Sequence, residues 1–120
     1  MSTFDNAVSI NPYFKIPAGK EKECMAFLAQ FCKLVAKEKK CLFYNFTMNG
    51  DVLCCREAYH DAEGVLAHLS NCGAALGKFL EFAKVLRVEL HGPAGEVAKL
   101  KDAFAALKPE VFICECGIGR

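Results

Sequence analysis

No charge of one sign dominates this 120-residue chain: fifteen Lys and Arg stand against fourteen Asp and Glu, for a formal net charge of +1. That balance excludes the broad electrostatic footprint that grips nucleic acid or an anionic membrane surface. Long apolar runs are missing as well. No stretch approaches the ~20 residues that a membrane-spanning helix requires. Residues 1–8 include Asp5 and lack the basic start and apolar run of a targeting segment. These absences together predict a cytoplasmic protein. A phosphate loop is missing too, because Gly117-Ile118-Gly119 precedes no helix. Ser9 and Ser70 lack the strained elbow of a serine nucleophile. No internal repeat, linker or low-complexity tract is visible.

What the chain does contain is a core. Hydrophobic residues make up 53% and charged residues 24%, which places it among globular proteins and predicts one domain over residues 1–120. Eight cysteines stand at 24, 32, 41, 54, 55, 72, 114 and 116, and no Cys-x-x-Cys occurs. They fall inside predicted helices and strands, so the expectation is free, mostly buried thiols in a reducing compartment. Cys72, at an expected helix break, is the thiol most open to reaction. The run Lys37-Glu38-Lys39-Lys40 reads as cations complementing a helix C-terminus.

Residues 8–16 alternate: Val8, Ile10, Phe14 and Ile16 face one side, and Ser9, Asn11, Tyr13 and Lys15 the other. Pro12 marks this strand as an edge or a bulged one. A helix of about twenty residues opens at Pro17, with Cys24, Phe27, Leu28, Phe31, Leu34 and Val35 on one stripe. Residues 41–48 form a strand, Asn49-Gly50 a hairpin turn, and 51–59 the returning arm. Asp61 caps the next helix, with Val65, Leu66 and Leu69 inward. Asn71-Cys72-Gly73 interrupts it before residues 74–83 resume with Leu76, Phe79 and Leu80 inward. Residues 85–91 alternate Leu86, Val88 and Leu90 with Arg87, Glu89 and His91. Gly92-Pro93 opens a helix to about Leu107, and residues 111–116 form a last strand. The order β-α-β-β-α-β plus a helix and strand predicts an α+β fold: a ferredoxin-like split β-α-β antiparallel sheet with helices on one face.

Helices on one face leave the other uncovered. It presents Asn11, Tyr13, Lys15, Phe43, Asn45, Thr47, Arg87, Glu89 and His91. Aromatics beside a Glu-Arg-His group suit a face closed by a second copy better than one open to water. The expected partner is therefore the chain itself, as a homodimer, with a small molecule in the resulting cavity.

Glu57-Ala-Tyr59-His60-Asp61 followed by His68 resembles the Glu-x-Tyr/Trp-x-Asp…His signature of antibiotic biosynthesis monooxygenase domains. Cys41-Leu-Phe-Tyr44 is similar to the strand that precedes it there, and the likeness spans roughly residues 8–116. The resemblance implies a dimeric α+β barrel with a cavity between sheet and helices. It also implies activities such as cofactor-free oxidation of polyphenols, quinol oxidation, haem degradation or isomerisation of small molecules. This chain has no tryptophan, whereas oxygenases and haem degraders of the family typically use an Asn/Trp pair. Those two readings are demoted, and no cofactor is expected. His68 matches the family's helix histidine.

The residues leave two roles open at most positions. His68 is either a histidine bonded to Glu57 or a general base. Glu57 is either paired with Arg56 or Arg87 or is a tuned acid. Arg87, Glu89 and His91 either line the pocket or form an interface salt network. Tyr13, Asn11 and Asn45 would orient a ligand, with His68 or His91 moving a proton and Arg87 holding negative charge. Tyr44 could also donate a proton or orient a phenolic ligand, but it falls on the apolar parity, which favours core packing. No spacing demands a metal. The expected function is a small enzyme, an oxygenase or isomerase, acting on an aromatic, quinone-like or carbonyl compound. The alternative is a non-catalytic ligand-binding dimer.

Overall fold

In the computed structural model, residues 5–119 are described. Strand β1 spans Val8–Lys15 and helix α1 Glu21–Val35. The hairpin strands β2 and β3 span Cys41–Asn49 and Val52–Tyr59, and helix α2 spans Ala62–Phe79. Strand β4 runs over Lys84–Gly92. Short helices α3 (Ala94–Ala98) and α4 (Lys101–Phe104) then lead through one 3-10 turn to β5 (Glu110–Ile113). The strand order is β2-β3-β1-β4-β5. The first four are antiparallel neighbours, and β5 pairs parallel to β4, so the added strand makes the sheet mixed. The fold is the expected ferredoxin-like α+β arrangement with helices on one face.

Alternation holds well on β1, where Val8, Ile10 and Phe14 are buried, and Ile16 just past its end is buried too. Pro12 resolves to the bulge rather than the edge. β1 is the central strand, and its register with β4 shifts between Tyr13 and Phe14. The same shift corrects one expectation on β4. Tyr13 lies opposite Arg87 and Phe14 opposite Val85, so Leu86 is the extra residue and is exposed. The hairpin turn forms as read, with Gly50 at φ +60, a backbone state that suits glycine.

Several boundaries differ for physical reasons. Helix α1 begins at Glu21, not Pro17, because Gly19 turns left-handed at φ +88. Helix α2 runs unbroken through Asn71-Cys72-Gly73. Asn71 sends its amide outward to the Leu34 carbonyl and to Glu38, so it does not compete for its own helix backbone. Leu66 on that helix faces out. The helix expected over 93–107 is three short turns; Val97 in α3, Leu100 at the start of α4 and Phe104 in α4 are buried, and the 3-10 turn buries none. Lys108, left-handed at φ +47 before Pro109, ends them. Lys40 does not serve the α1 terminus; its Nζ pairs with Asp61 at 2.8 Å and Glu63 at 3.3 Å. The last strand stops at Ile113, leaving Cys114 and Cys116 exposed.

Two apolar clusters fill the space under the helices. One gathers Phe14, Phe31, Leu53 and Phe79 between α1, α2 and the sheet. The other gathers Val8, Ile10, Tyr59, Val65, Leu90, Leu100 and Phe104 nearer α3 and α4. All eight cysteines are free, but only Cys24, Cys55 and Cys72 are buried. The expectation that the thiols are free holds, and the expectation that most are buried does not. No helix among the described residues is long and apolar enough to cross a membrane.

Candidate functional site

A cavity of about 70 Å³ lies on the seam between the two clusters. Ile10, Phe14, Phe31, Phe46, Phe79 and Val88 are among its walls. The lining is apolar almost throughout, and Glu57 and His68 are its two charge-bearing groups. β3 delivers Glu57 because Leu53, Cys55, Glu57 and Tyr59 step by two residues along the helix-facing side. Glu57 is only 4% exposed and His68 7%.

The polar contacts form one line. The Tyr59 hydroxyl donates to Glu57 Oε1 at 2.6 Å. His68 Nε2 lies 3.3 Å from the same oxygen. His68 Nδ1 lies 3.0 Å from Glu38 Oε2, which also accepts from Asn71 Nδ2 at 2.8 Å. The His68 ring sits between the rings of Tyr44 and Tyr59, at 5.4 and 5.1 Å. Burial pushes the Glu57 carboxyl above its ordinary value, with His68 and the Tyr59 hydroxyl pulling the other way. Burial likewise raises the Tyr59 and Tyr44 hydroxyls, so both are held as neutral donors. The Cys72 thiol is pushed up to about 12, first by burial and then by Glu38.

Tyr44 also borders an outer groove with Cys32, Val35, Glu38 and Cys41. Glu38, His68 and Cys72 bring one oxygen, one nitrogen and one sulfur donor within 4.8 Å of one another, the donor types a transition metal uses.

The structure thus joins Glu57 and His68, as the first alternative for His68 anticipated. It separates Glu57 from Arg56 and Arg87, because Glu57 points to the helix side while both arginines belong to the opposite face. Arg87, Glu89 and His91 do form a cluster there. Arg87 Nη2 meets Glu89 Oε2 at 2.6 Å, and its Nε meets Glu110 Oε2 at 2.9 Å. His91 Nε2 lies 3.2 Å from Glu89 Oε1, and its ring stacks on Phe112 at 4.6 Å. Asn11 is the cross-strand partner of Glu89, Asn45 that of Arg56, and the Arg87 guanidinium sits 5.5 Å from the Tyr13 ring centre. None of Asn11, Tyr13, Asn45, Arg87, Glu89 or His91 lines this cavity.

Sequence reasoning missed Glu38, hidden in a basic run, and favoured core packing for Tyr44 over a role toward a ligand. It also placed Cys72 at a helix break, whereas it is buried in mid-helix. The two-residue step from Leu53 to Tyr59 was the available signal for Glu57.

No protein-family model and no curated protein matches the chain. Solved structures do. MupZ from Pseudomonas fluorescens is 36% identical, with a TM-score of 0.91 over 96% of this chain and 95% of that one. A conserved protein of unknown function from Bacteroides thetaiotaomicron, described as a possible oxidoreductase, is 18% identical; its TM-score is 0.65 over 72% of this chain and 96% of its own. A candidate antibiotic biosynthesis monooxygenase from Chloroflexus aurantiacus is 16% identical, with a TM-score of 0.62 over 75% and 95%. The latter two carry likeness of fold alone.

Proposed function

We propose that this chain, a relative of MupZ with the fold of antibiotic biosynthesis monooxygenase-like proteins, is a small acid–base enzyme. Its substrate class is a compact aromatic, quinone-like or carbonyl compound held in the cavity between sheet and helices. One observation carries this reading: a buried carboxylate, Glu57, stands beside His68 in the wall of an otherwise apolar cavity. Apolar walls take up the body of such a ligand and exclude water, which strengthens any charge interaction inside. Glu57 takes or returns the substrate proton, and the Tyr59 hydroxyl fixes its rotamer. His68 shares the proton with Glu57 and is itself oriented by Glu38. The cavity volume favours a small guest, since drug-sized sites run to roughly 300–1,000 Å³.

The test is deuterium uptake from heavy water into a panel of small ketones and phenols, followed by NMR. The wild-type chain catalyses exchange on at least one class, and Glu57→Gln lowers that rate by about 10²–10⁴-fold. No exchange by the wild type, or an unchanged rate in Glu57→Gln, overturns the reading. The near-complete apolar lining favours a second reading, a non-catalytic binding protein. It expects a ligand whose affinity is the same for wild type and Glu57→Gln.

The proposal includes a homodimer closed over the open sheet face. Phe43 and Phe112 are exposed there beside the Arg87–Glu89–His91 network, a mixture that suits an interface. Eight free thiols fit a reducing compartment such as the cytoplasm.

A further inference from the structure

His68 and Cys72 stand four residues apart on α2 and so share one helix face. Glu38, in the turn after α1, reaches across to both. Its Oε2 lies 3.0 Å from His68 Nδ1 and 3.9 Å from Cys72 Sγ. Zinc takes carboxylate, imidazole and thiolate donors at about 2.0–2.3 Å in tetrahedral array, which spaces the donors roughly 3.3–3.8 Å apart. The triangle already present closes around an ion with small side-chain shifts.

The supporting contacts are those a metal centre uses. The second nitrogen of a ligating histidine usually faces a carboxylate, which fixes the ring, and ligating carboxylates are themselves hydrogen-bonded. His68 Nε2 faces Glu57 at 3.3 Å, and Asn71 Nδ2 donates to Glu38 Oε2. We propose that Glu38, His68 and Cys72 bind one zinc-class divalent cation, with a fourth position left to water or a ligand. The cation goes beyond the acid–base reading and uses the other nitrogen of His68: Nδ1 faces the metal donors and Nε2 faces Glu57. The two proposals therefore fail separately.

The experiment uses the whole chain, freed of metal by chelator and kept reduced, titrated with cobalt(II) as a spectroscopic stand-in for zinc. One cobalt binds per chain, with intense visible absorption from a four-coordinate ion and a near-ultraviolet sulfur-to-cobalt charge-transfer band. Added zinc abolishes both. Cys72→Ser removes the charge-transfer band, whereas Cys32→Ser and Cys41→Ser keep it. Asn71→Ala, which removes the support of Glu38 together with a bond to the Leu34 carbonyl, weakens binding by about 10–100-fold. Glu57→Gln keeps the band while losing the exchange activity. Absence of one-to-one binding, or a charge-transfer band that survives Cys72→Ser, overturns the site.

Discussion

At the scale of the residue, tight approach matters more than chemistry at Gly64. A Cβ there would fall 2.8 Å from Lys40 Cβ and 3.2 Å from Tyr59 Cβ, atoms close to the backbone that cannot swing aside. Gly64→Ala is therefore expected to destabilise the fold by about 1–2 kcal/mol, because overpacking outweighs the roughly 1 kcal/mol gained in helix propensity. Gly77, on the same helix with nothing within 4 Å of a built Cβ, is the control. Gly77→Ala is expected to raise stability by about 0.4–1 kcal/mol. Thermal melts of the two variants check both signs. Neither effect was legible in the sequence, where both glycines are equivalent helix residues. Glu57 was half legible: its motif drew attention, but Arg56 next to it suggested an ion pair. Two-residue periodicity sends those neighbours to opposite faces, and that parity decided the matter.

Elements explain where boundaries were readable. Asp61 was identified as the cap of α2 from its type and position, and its Oδ1 accepts from the Gly64 N–H at 2.9 Å. Glu96 adds a second acceptor at the same end, for the Ala62 N–H at 3.0 Å; no local pattern announces a residue so distant in the chain. The Lys40 bond to Asp61, with help from the Gly64 N–H, holds the Asp61 carboxyl below its ordinary value of 3.8. A depressed folded-state value means that the unfolded chain binds the proton more readily. The stabilisation is thus complete above that ordinary value and is lost as pH falls through the lower, folded one. Urea midpoints taken from pH 6 to pH 3 should fall for wild type and flatten for Asp61→Asn. Asp61→Ala should cost about 0.5–2 kcal/mol near neutral pH, where the cap is lost outright. The helix over 93–107 was over-read because Val97, Leu100 and Phe104 keep helical spacing while the backbone between them does not.

For the whole molecule, the split β-α-β layout and the mixed character of the open face were legible, because alternation on β1 and the Asn49-Gly50 turn fix the register of the central strands. The cavity between sheet and helices was expected only through the resemblance, and its walls were not legible, since they come from strands and helices far apart in sequence. The open face leads to a mass prediction. Sedimentation should give twice the 13.2 kDa of one chain, and Phe43→Asp with Phe112→Asp should return it to one. A wild-type chain that stays at 13.2 kDa at high concentration removes the closure argument. Such a result would leave Glu57 and His68 untouched, because they lie on the other side of the sheet.

Tyr44 belongs to the wall of the inner cavity and to the rim of the outer groove alike. Rotation of that one ring would merge the two hollows into a passage. Because that ring packs on Phe46 and His68, a guest would pass more slowly than the picosecond-to-nanosecond turning of an exposed side chain.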